Sequence, residues 1–411
     1  MDNIAGSPVE GGNFFGREAD IEILIEAILN HDILLLGPRR IGKTSIARRI
    51  MAAMAQAQQW HTIEINVAAC TDERGFLEKL ETKLREKLDT TSGKIWESLK
   101  APFSTLAARI RSVKIPVPGA GSLGLDLGDS ASEDWIKVGN EALTLIAQPQ
   151  TPWLIYVDEL PIMLFNIIRN DKTNGVQRVR RFLDWFRNDV RNLPNSGRVR
   201  WLVSGSVGLD TLVQQHGMSD TINSFKHLGL KPFSQTEAQS MLQKLADRYQ
   251  LALGEAELLA LIAAIQWLQP YYLQLAFSEL RSLMATQPEI APAQLIDTAI
   301  TQMAQPGSDN DFHFWEQRLF LQLPEAQAKQ ALAMLTQVAS SREGSRPENL
   351  LASLHENMPD ATGEEARTRF INLRDILQRD AYWVPDESSG VRRYRFVLEP
   401  LRRWWLRRNT L

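Results

Sequence analysis

The sequence predicts an α/β protein: a parallel sheet flanked by helices and built round a phosphate-binding loop, then a helical domain, then a C-terminal winged helix. Three observations carry this reading. The apolar residues 33–36 run straight into Gly37, and four residues later Gly42-Lys43-Thr44 opens a helical pattern. A second apolar run, residues 153–157, ends in the acid pair Asp158-Glu159. Near the C-terminus, helical patterns give way to two short β-type runs, residues 381–384 and 392–397, around a turn-forming segment Pro385-Asp386-Glu387-Ser388-Ser389-Gly390.

Composition narrows the class. A chain of 411 residues exceeds one ordinary core, so two or three domains are expected. The formal net charge of −3 argues against a protein that coats nucleic acid through its whole surface, and leaves room for a local basic face. Cys70 is the single cysteine, so no internal disulfide forms, which fits a reducing compartment. No apolar run reaches bilayer-spanning length, and Asp2 with no apolar stretch after it does not read as a signal peptide. The expectation is a soluble cytoplasmic protein with no membrane partner.

Residues 1–13 are Gly-rich and unpatterned and read as a loose arm; residues 14–232 read as the α/β domain. Ile21, Leu24, Ile25, Ile28 and Leu29 place a helix before the first strand. In the loop, glycines let the backbone curl so that its N–H groups face one centre, and the following helix adds the positive end of its dipole. Lys43 then reaches the β- and γ-phosphates, and the Thr44 hydroxyl is placed to ligate Mg²⁺. Residues 61–67 alternate as a second strand, and residues 72–111 are helical. Pro116, Pro118, Gly119 and Gly121 interrupt the pattern, and a hairpin insertion is expected at about residues 113–128.

The strand ending in Asp158-Glu159 delivers both carboxylates to the edge where open α/β sheets bind ligands. Asp158 would hold Mg²⁺ through water, and Glu159 would orient and deprotonate the attacking water. Residues 175–193 read as one helix with Val179, Phe182, Leu183, Phe186 and Val190 on its apolar face. Residues 198–203 form a further buried strand; Ser204 and Ser206 after it either touch the γ-phosphate or attacking water, or simply turn the chain. Residues 225–230 close the sheet. Residues 233–308 read as a wholly helical domain and residues 309–411 as the winged helix. No internal repeat is present.

Gly16-Arg17-Glu18 ahead of a helix, the loop Gly37-Pro38-Arg39-Arg40-Ile41-Gly42-Lys43-Thr44-Ser45, Asp158-Glu159, and Ser204-Gly205-Ser206 resemble the archaeal-type AAA+/STAND-like P-loop ATPases, relatives of the origin-recognition and replication-initiator ATPases. Pro270-Tyr271-Tyr272-Leu273-Gln274, Tyr394-Arg395-Phe396 and Trp404-Trp405-Leu406-Arg407-Arg408 extend the likeness over most of the chain. The resemblance implies ATP and Mg²⁺ as ligands, Phe15, Gly16 and Arg17 near the adenine, and a helical lid whose motif contains Pro270. The family commonly has a glycine two residues before that proline, where this chain has Leu268. Arg39 and Arg40 either neutralise phosphate or contact a neighbouring domain. Arg180, Arg181 and Arg187 are candidates for an arginine finger through their shared helix. The chain has no Asn-Lys-x-Asp guanine-reading motif and no Leu-Ser-Gly-Gly-Gln signature.

Two functions follow as expectations. The first is an ATP-hydrolysing switch whose nucleotide state repositions the lid and winged helix to control self-association or binding of a protein partner, in a defence or toxin-linked setting by family association. The second is a nucleic-acid-binding ATPase like the replication initiators, gripping double-stranded DNA. In that case Arg392, Arg393, Arg395, Arg402, Arg403, Arg407 and Arg408, interleaved with Tyr394, Phe396, Trp404 and Trp405, would hold phosphates. The helix of residues 364–379 would then enter the major groove.

Overall fold

The computed structural model describes every residue except 58, 92–93, 114, 116–127, 206–207, 306–309, 389 and 410–411. It forms two compact units. One comprises residues 17–39 and 43–230, the other residues 1–16, 40–42 and 231–411.

The first unit opens with α1 (Glu18–Asn30), β1 (Ile33–Leu36), α2 (Lys43–Ala57) and β2 (His61–Asn66). The helices α3 (Glu73–Thr90), α4 (Lys94–Ser112) and α5 (Gly128–Ala147) lead to β3 (Trp153–Asp158). Then come α6 (Leu160–Asn170), α7 (Gly175–Asp184), β4 (Val199–Ser204), α8 (Leu209–Gln215) and β5 (Lys226–Gly229). The five strands make one parallel sheet in the order β2-β3-β4-β1-β5. Helix-covered parallel strands are buried on both faces, so they read as unbroken apolar runs; all six residues of β3 are buried. Strand β4 lies between β1 and β3, with Leu35 opposite Ser204 and Val157 opposite Val203. The C-terminal ends of these three strands are therefore level with one another.

Phe76, Trp135, Phe182, Trp185, Phe186 and Trp201 fill the core beneath the sheet, mostly edge to face. Residues 175–192 are helical without a break, as expected, with one irregularity. Helix α7 stops at Asp184 and a π-helical turn, Trp185–Val190, follows. Trp185 and Phe186 are both buried within it. Arg180 and Arg187 of this stretch both bond Asp220, at 3.0 and 2.6 Å, so their charges are engaged within the unit. The hairpin expected at about 113–128 falls largely outside the described residues. Cys70 is buried, and burial pushes its thiol up to about 11, which makes it a poor nucleophile at neutral pH.

The second unit differs from the sequence expectation at both ends. Residues 1–13, read as a loose arm, are tied to the helical region formed by α9 (Gln235–Tyr249), α10 (Glu255–Ile265), α11 (Pro270–Thr286) and α12 (Pro292–Met303). The Asn3 amide donates to the Tyr249 hydroxyl, the Ile4 amide to Gln274 Oε1, and Arg248 pairs with Asp2. The remaining elements are α13 (Asn310–Gln322), α14 (Glu325–Ala339), α15 (Pro347–Glu356), α16 (Gly363–Arg379), β6 (Trp383–Asp386), β7 (Arg393–Phe396) and α17 (Glu399–Asn409). Strands β6 and β7 pair antiparallel as the wing, and a bridge from Ser345 to Tyr394 adds to their edge.

The helical lid and the winged helix, expected as separate domains, share one core. Trp315 of α13 donates to the Tyr272 hydroxyl of α11 at 3.1 Å and lies edge-on to Trp267. The C-terminal arginines serve the same union. Glu399, almost fully buried, accepts from both Arg402 and Arg403. Arg402 also donates to the Ala339 carbonyl, and Arg403 reaches Asp297 and Thr301 of α12. Arg407 donates to the Ala304 carbonyl, Arg408 pairs with Glu316, and Arg395 with Asp386. Tyr394, Phe396, Trp404 and Trp405 are all buried. Of the arginines expected to grip DNA, Arg402 and Arg403 are part-buried ties, Arg392 pairs with Glu387 on the surface, and Arg392, Arg407 and Arg408 are exposed; the aromatics interleaved with them are core.

One consequence is measurable. Burial works against the Glu399 charge, but the hydrogen bonds and positive charge of Arg402 and Arg403 hold its carboxyl below the ordinary value of 4.5. Its stabilising contribution is present above that pH and is lost as pH falls through the depressed folded value. Glu399→Gln should lower stability at neutral pH by on the order of 3 kcal/mol, because two arginines lose a buried partner. Denaturant melts of the two proteins should converge as the solution is acidified. A gap independent of pH would show that the carboxylate charge is not what holds the arginines.

Candidate active site

The site is built where β1 ends. After buried Ile33, Leu34 and Leu35 the chain leaves the sheet at Gly37, with φ +147°, and re-enters a helix after Gly42, with φ +100°. An L side chain rarely adopts the Gly42 conformation, so glycine is needed there for backbone reasons although space is open beside it. Ile41, just before it, is buried. Lys43 is itself buried, and its Nζ donates to the Gly37 and Pro38 carbonyls at 2.6 and 2.9 Å, so it reaches back to the start of the loop. The first turn of α2 carries no acidic residue, so no side-chain negative charge there opposes an anion at the positive end of its dipole.

The acid pair arrives from β3. Thr44 Oγ1 donates to Asp158 Oδ2 at 3.2 Å, and Ser204 Oγ, from the end of β4, donates to Asp158 Oδ1 at 2.8 Å. The Tyr156 hydroxyl lies 2.8 Å from Ser204 Oγ. Burial, reinforced by the negative charge of Asp158, pushes the Tyr156 phenol well above its ordinary value, so it remains a protonated donor. Glu159 follows at once, half-buried, in a left-handed conformation (φ +62°) at the start of α6. A non-glycine residue held there stores strain of about 1 kcal/mol, a feature common at functional turns.

The structure thus brings together Gly37, Pro38, Lys43, Thr44, Asp158 and Ser204, with Ser45 buried in the first turn of α2 and Arg39 half-buried in the loop. Arg17, buried, caps α1 and pairs with Asp20 at 3.0 Å. Phe15, Gly16 and Pro270 belong to the second unit. There Phe15 meets Phe233 edge-on, the Lys244 ammonium lies over its ring, Gly16 abuts Phe233, and Pro270 opens α11. Arg40 groups with that unit too: its guanidinium lies 4.4 Å from the Tyr271 ring centre and donates to the Gly6 carbonyl. Ser206 lies outside the described residues. Ser204, read either as touching a phosphate or water or as turning the chain, is fully buried and donates to Asp158 Oδ1.

The sequence patterns do not single out Tyr156. Alternation along a strand puts it on the same face as Asp158, which is a visible signal, but a tyrosine in an apolar run reads as core.

The donor set fits a hard divalent cation. Thr44 and Asp158 offer neutral and anionic oxygen within hydrogen-bond distance of each other. Among the described residues no group of three or more His, Cys, Asp or Glu makes a cage, so phosphate and water oxygens would complete the coordination. No helix among the described residues is long and apolar enough to cross a membrane.

No family model and no curated protein matches the chain. Among solved structures it is similar to a Walker-type ATPase of Pyrococcus abyssi, at 15% identity over 96% of both chains with a TM-score of 0.59. It is also similar to the ORC2 protein of Aeropyrum pernix, determined as ADPNP–ADP complexes, at 12% identity over 97% of this chain and 96% of that one, with a TM-score of 0.57. Likeness at this level of identity shows the fold alone: a parallel sheet flanked by helices, followed by a helical region and a winged helix.

The strand end that holds Ser204 also predicts a stability effect. A Cβ added at Gly205 would lie 2.4 Å from Pro161 Cδ, in the first turn of α6. Gly205→Ala should therefore cost about 1–3 kcal/mol by thermal melting. An unchanged melting temperature would mean that α6 can move away freely from the end of β4.

Proposed function

We propose that this chain is a Mg²⁺-dependent ATPase of the AAA+ kind. The observation that carries the reading is the meeting of Thr44, the last residue of the loop motif, with Asp158, the first acid of the pair, at 3.2 Å. A phosphate loop without that acid binds anions; with it, the site has the two protein oxygens that position a cation on a triphosphate. The A. pernix protein was determined with adenine nucleotides, which makes ATP the first nucleotide to test.

In this reading the loop amides and the α2 N-terminus hold phosphate oxygens, and Lys43 exchanges the Gly37 and Pro38 carbonyls for the phosphate chain. Mg²⁺, when bound, neutralises charge between the terminal phosphates. Glu159 accepts the proton of the attacking water, and Asp158 stays with the cation side of the site. Phe15, Gly16, Arg17 and Pro270 remain proposed contacts on the base and lid side.

The output we favour is control of self-association or of a protein partner by the nucleotide state of the helical unit. Because lid and winged helix share a core, that unit would respond as one piece. The alternative is a DNA-binding ATPase like the replication initiators, supported by the likeness to the A. pernix ORC2 protein and opposed by two features of the second unit. Arg402 and Arg403 are tied to Glu399, and the N-terminal turn of α16 presents Glu364 and Glu365.

Lys43→Ala should abolish binding of ATP in equilibrium titrations; retention of full affinity would remove the loop from the site. Glu159→Gln should keep binding and lower the rate of phosphate release by about 100-fold or more. Turnover near the wild-type rate would remove Glu159 as the base. The wild-type rate should be indifferent to double-stranded DNA at low salt. Stimulation that fades as salt rises would instead favour the replication-initiator reading.

A further inference from the structure

We infer that Tyr156 is a positioning residue of this site: through Ser204 its hydroxyl fixes the orientation of Asp158, and with it the grip of Asp158 and Thr44 on a divalent cation. The inference rests on the functional reading above and extends it to a residue outside both sequence motifs.

Proton counting sets the direction of every bond in the group. An ionised carboxylate only accepts, whereas each hydroxyl has one proton to give. Ser204 gives its proton to Asp158 Oδ1 at 2.8 Å, and Thr44 gives its proton to Asp158 Oδ2 at 3.2 Å. The contact of 2.8 Å between Tyr156 and Ser204 must then be donated by the tyrosine. The result is a chain of donors, Tyr156 to Ser204 to Asp158, which Thr44 meets from the opposite oxygen, and the phenol also interacts with Asp158 and Thr44 directly. Both carboxylate oxygens are held, one from the end of β4 and one from the first turn of α2.

The surroundings make the chain selective. Tyr156 and Ser204 are fully buried, and the other residues of β3 before Asp158 are apolar. Water is therefore a poor substitute for the phenol, and a serine hydroxyl left without its donor is free to turn about its Cβ–Oγ bond. Residues that orient a cation's ligands without touching the cation ordinarily affect its affinity tenfold or more. Tyr156 occupies that place.

The test is the Mg²⁺ dependence of binding of a fluorescent ATP analogue to the full chain, with EDTA as the zero point. Tyr156→Phe should leave affinity in EDTA unchanged while raising the Mg²⁺ concentration for half-maximal enhancement about tenfold. Ser204→Ala, which cuts the chain at its next link, should give a similar shift, and the double variant should lose clearly less than the sum of the two single losses. Wild-type Mg²⁺ dependence in Tyr156→Phe, an equal loss in EDTA, or additive losses in the double variant would overturn the inference. Should Tyr156→Phe not fold, Ser204→Ala decides alone: an unshifted Mg²⁺ midpoint overturns the chain of donors. A wild-type protein that does not bind the analogue at all would sink the ATPase reading itself, which separates the two failures.

Discussion

Everything at the candidate site depends on β1, β4 and β3 lying side by side in parallel. Thr44 and Asp158 are 114 positions apart in the chain, and no local preference brings them together. The ladder does: Leu35 beside Ser204 and Val203 beside Val157 set the heights of three strand ends. From those ends come the loop, the serine and the acid pair. A parallel sheet needs helices on both faces to connect and bury it, so the packing of α2, α6 and the aromatic core is a condition of the site's geometry.

The second unit shows another use of charge. Its winged helix carries a dense run of arginines, which on sequence grounds suggests a surface for phosphate. The fold pairs several of them within the chain, with Glu399, Asp297, Glu316 and backbone carbonyls at helix ends, although Arg407 and Arg408 stay exposed. A guanidinium suits this because its several donors can bridge a carboxylate and a helix C-terminus together. These ties join α12, α14 and α17 across the boundary that the sequence pattern places near residue 308. The unit that would respond to nucleotide is accordingly larger than a lid alone.

What is legible in the sequence follows from the range of the interactions involved. The loop, the buried strands and the acid pair are local patterns, and each stands where its residues place it. The alternation of Tyr156 with Asp158 is equally local, but apolar neighbours mask its hydroxyl. The engagement of Arg402 and Arg403 with Ala339, Asp297 and Thr301 depends on partners far along the chain. The likeness to solved ATPases supports the fold and leaves the chemistry to the site itself, which stands on Lys43, Thr44, Asp158 and Glu159.

The most direct measurement is amide hydrogen exchange across residues 37–46, with and without Mg²⁺ and ATP. With the amides of the loop and of the first turn of α2 as the ligands of the phosphates, nucleotide should slow their exchange strongly, and Lys43→Ala should erase the effect. Exchange in that segment unchanged by nucleotide, with protection appearing elsewhere in the chain, would contradict it.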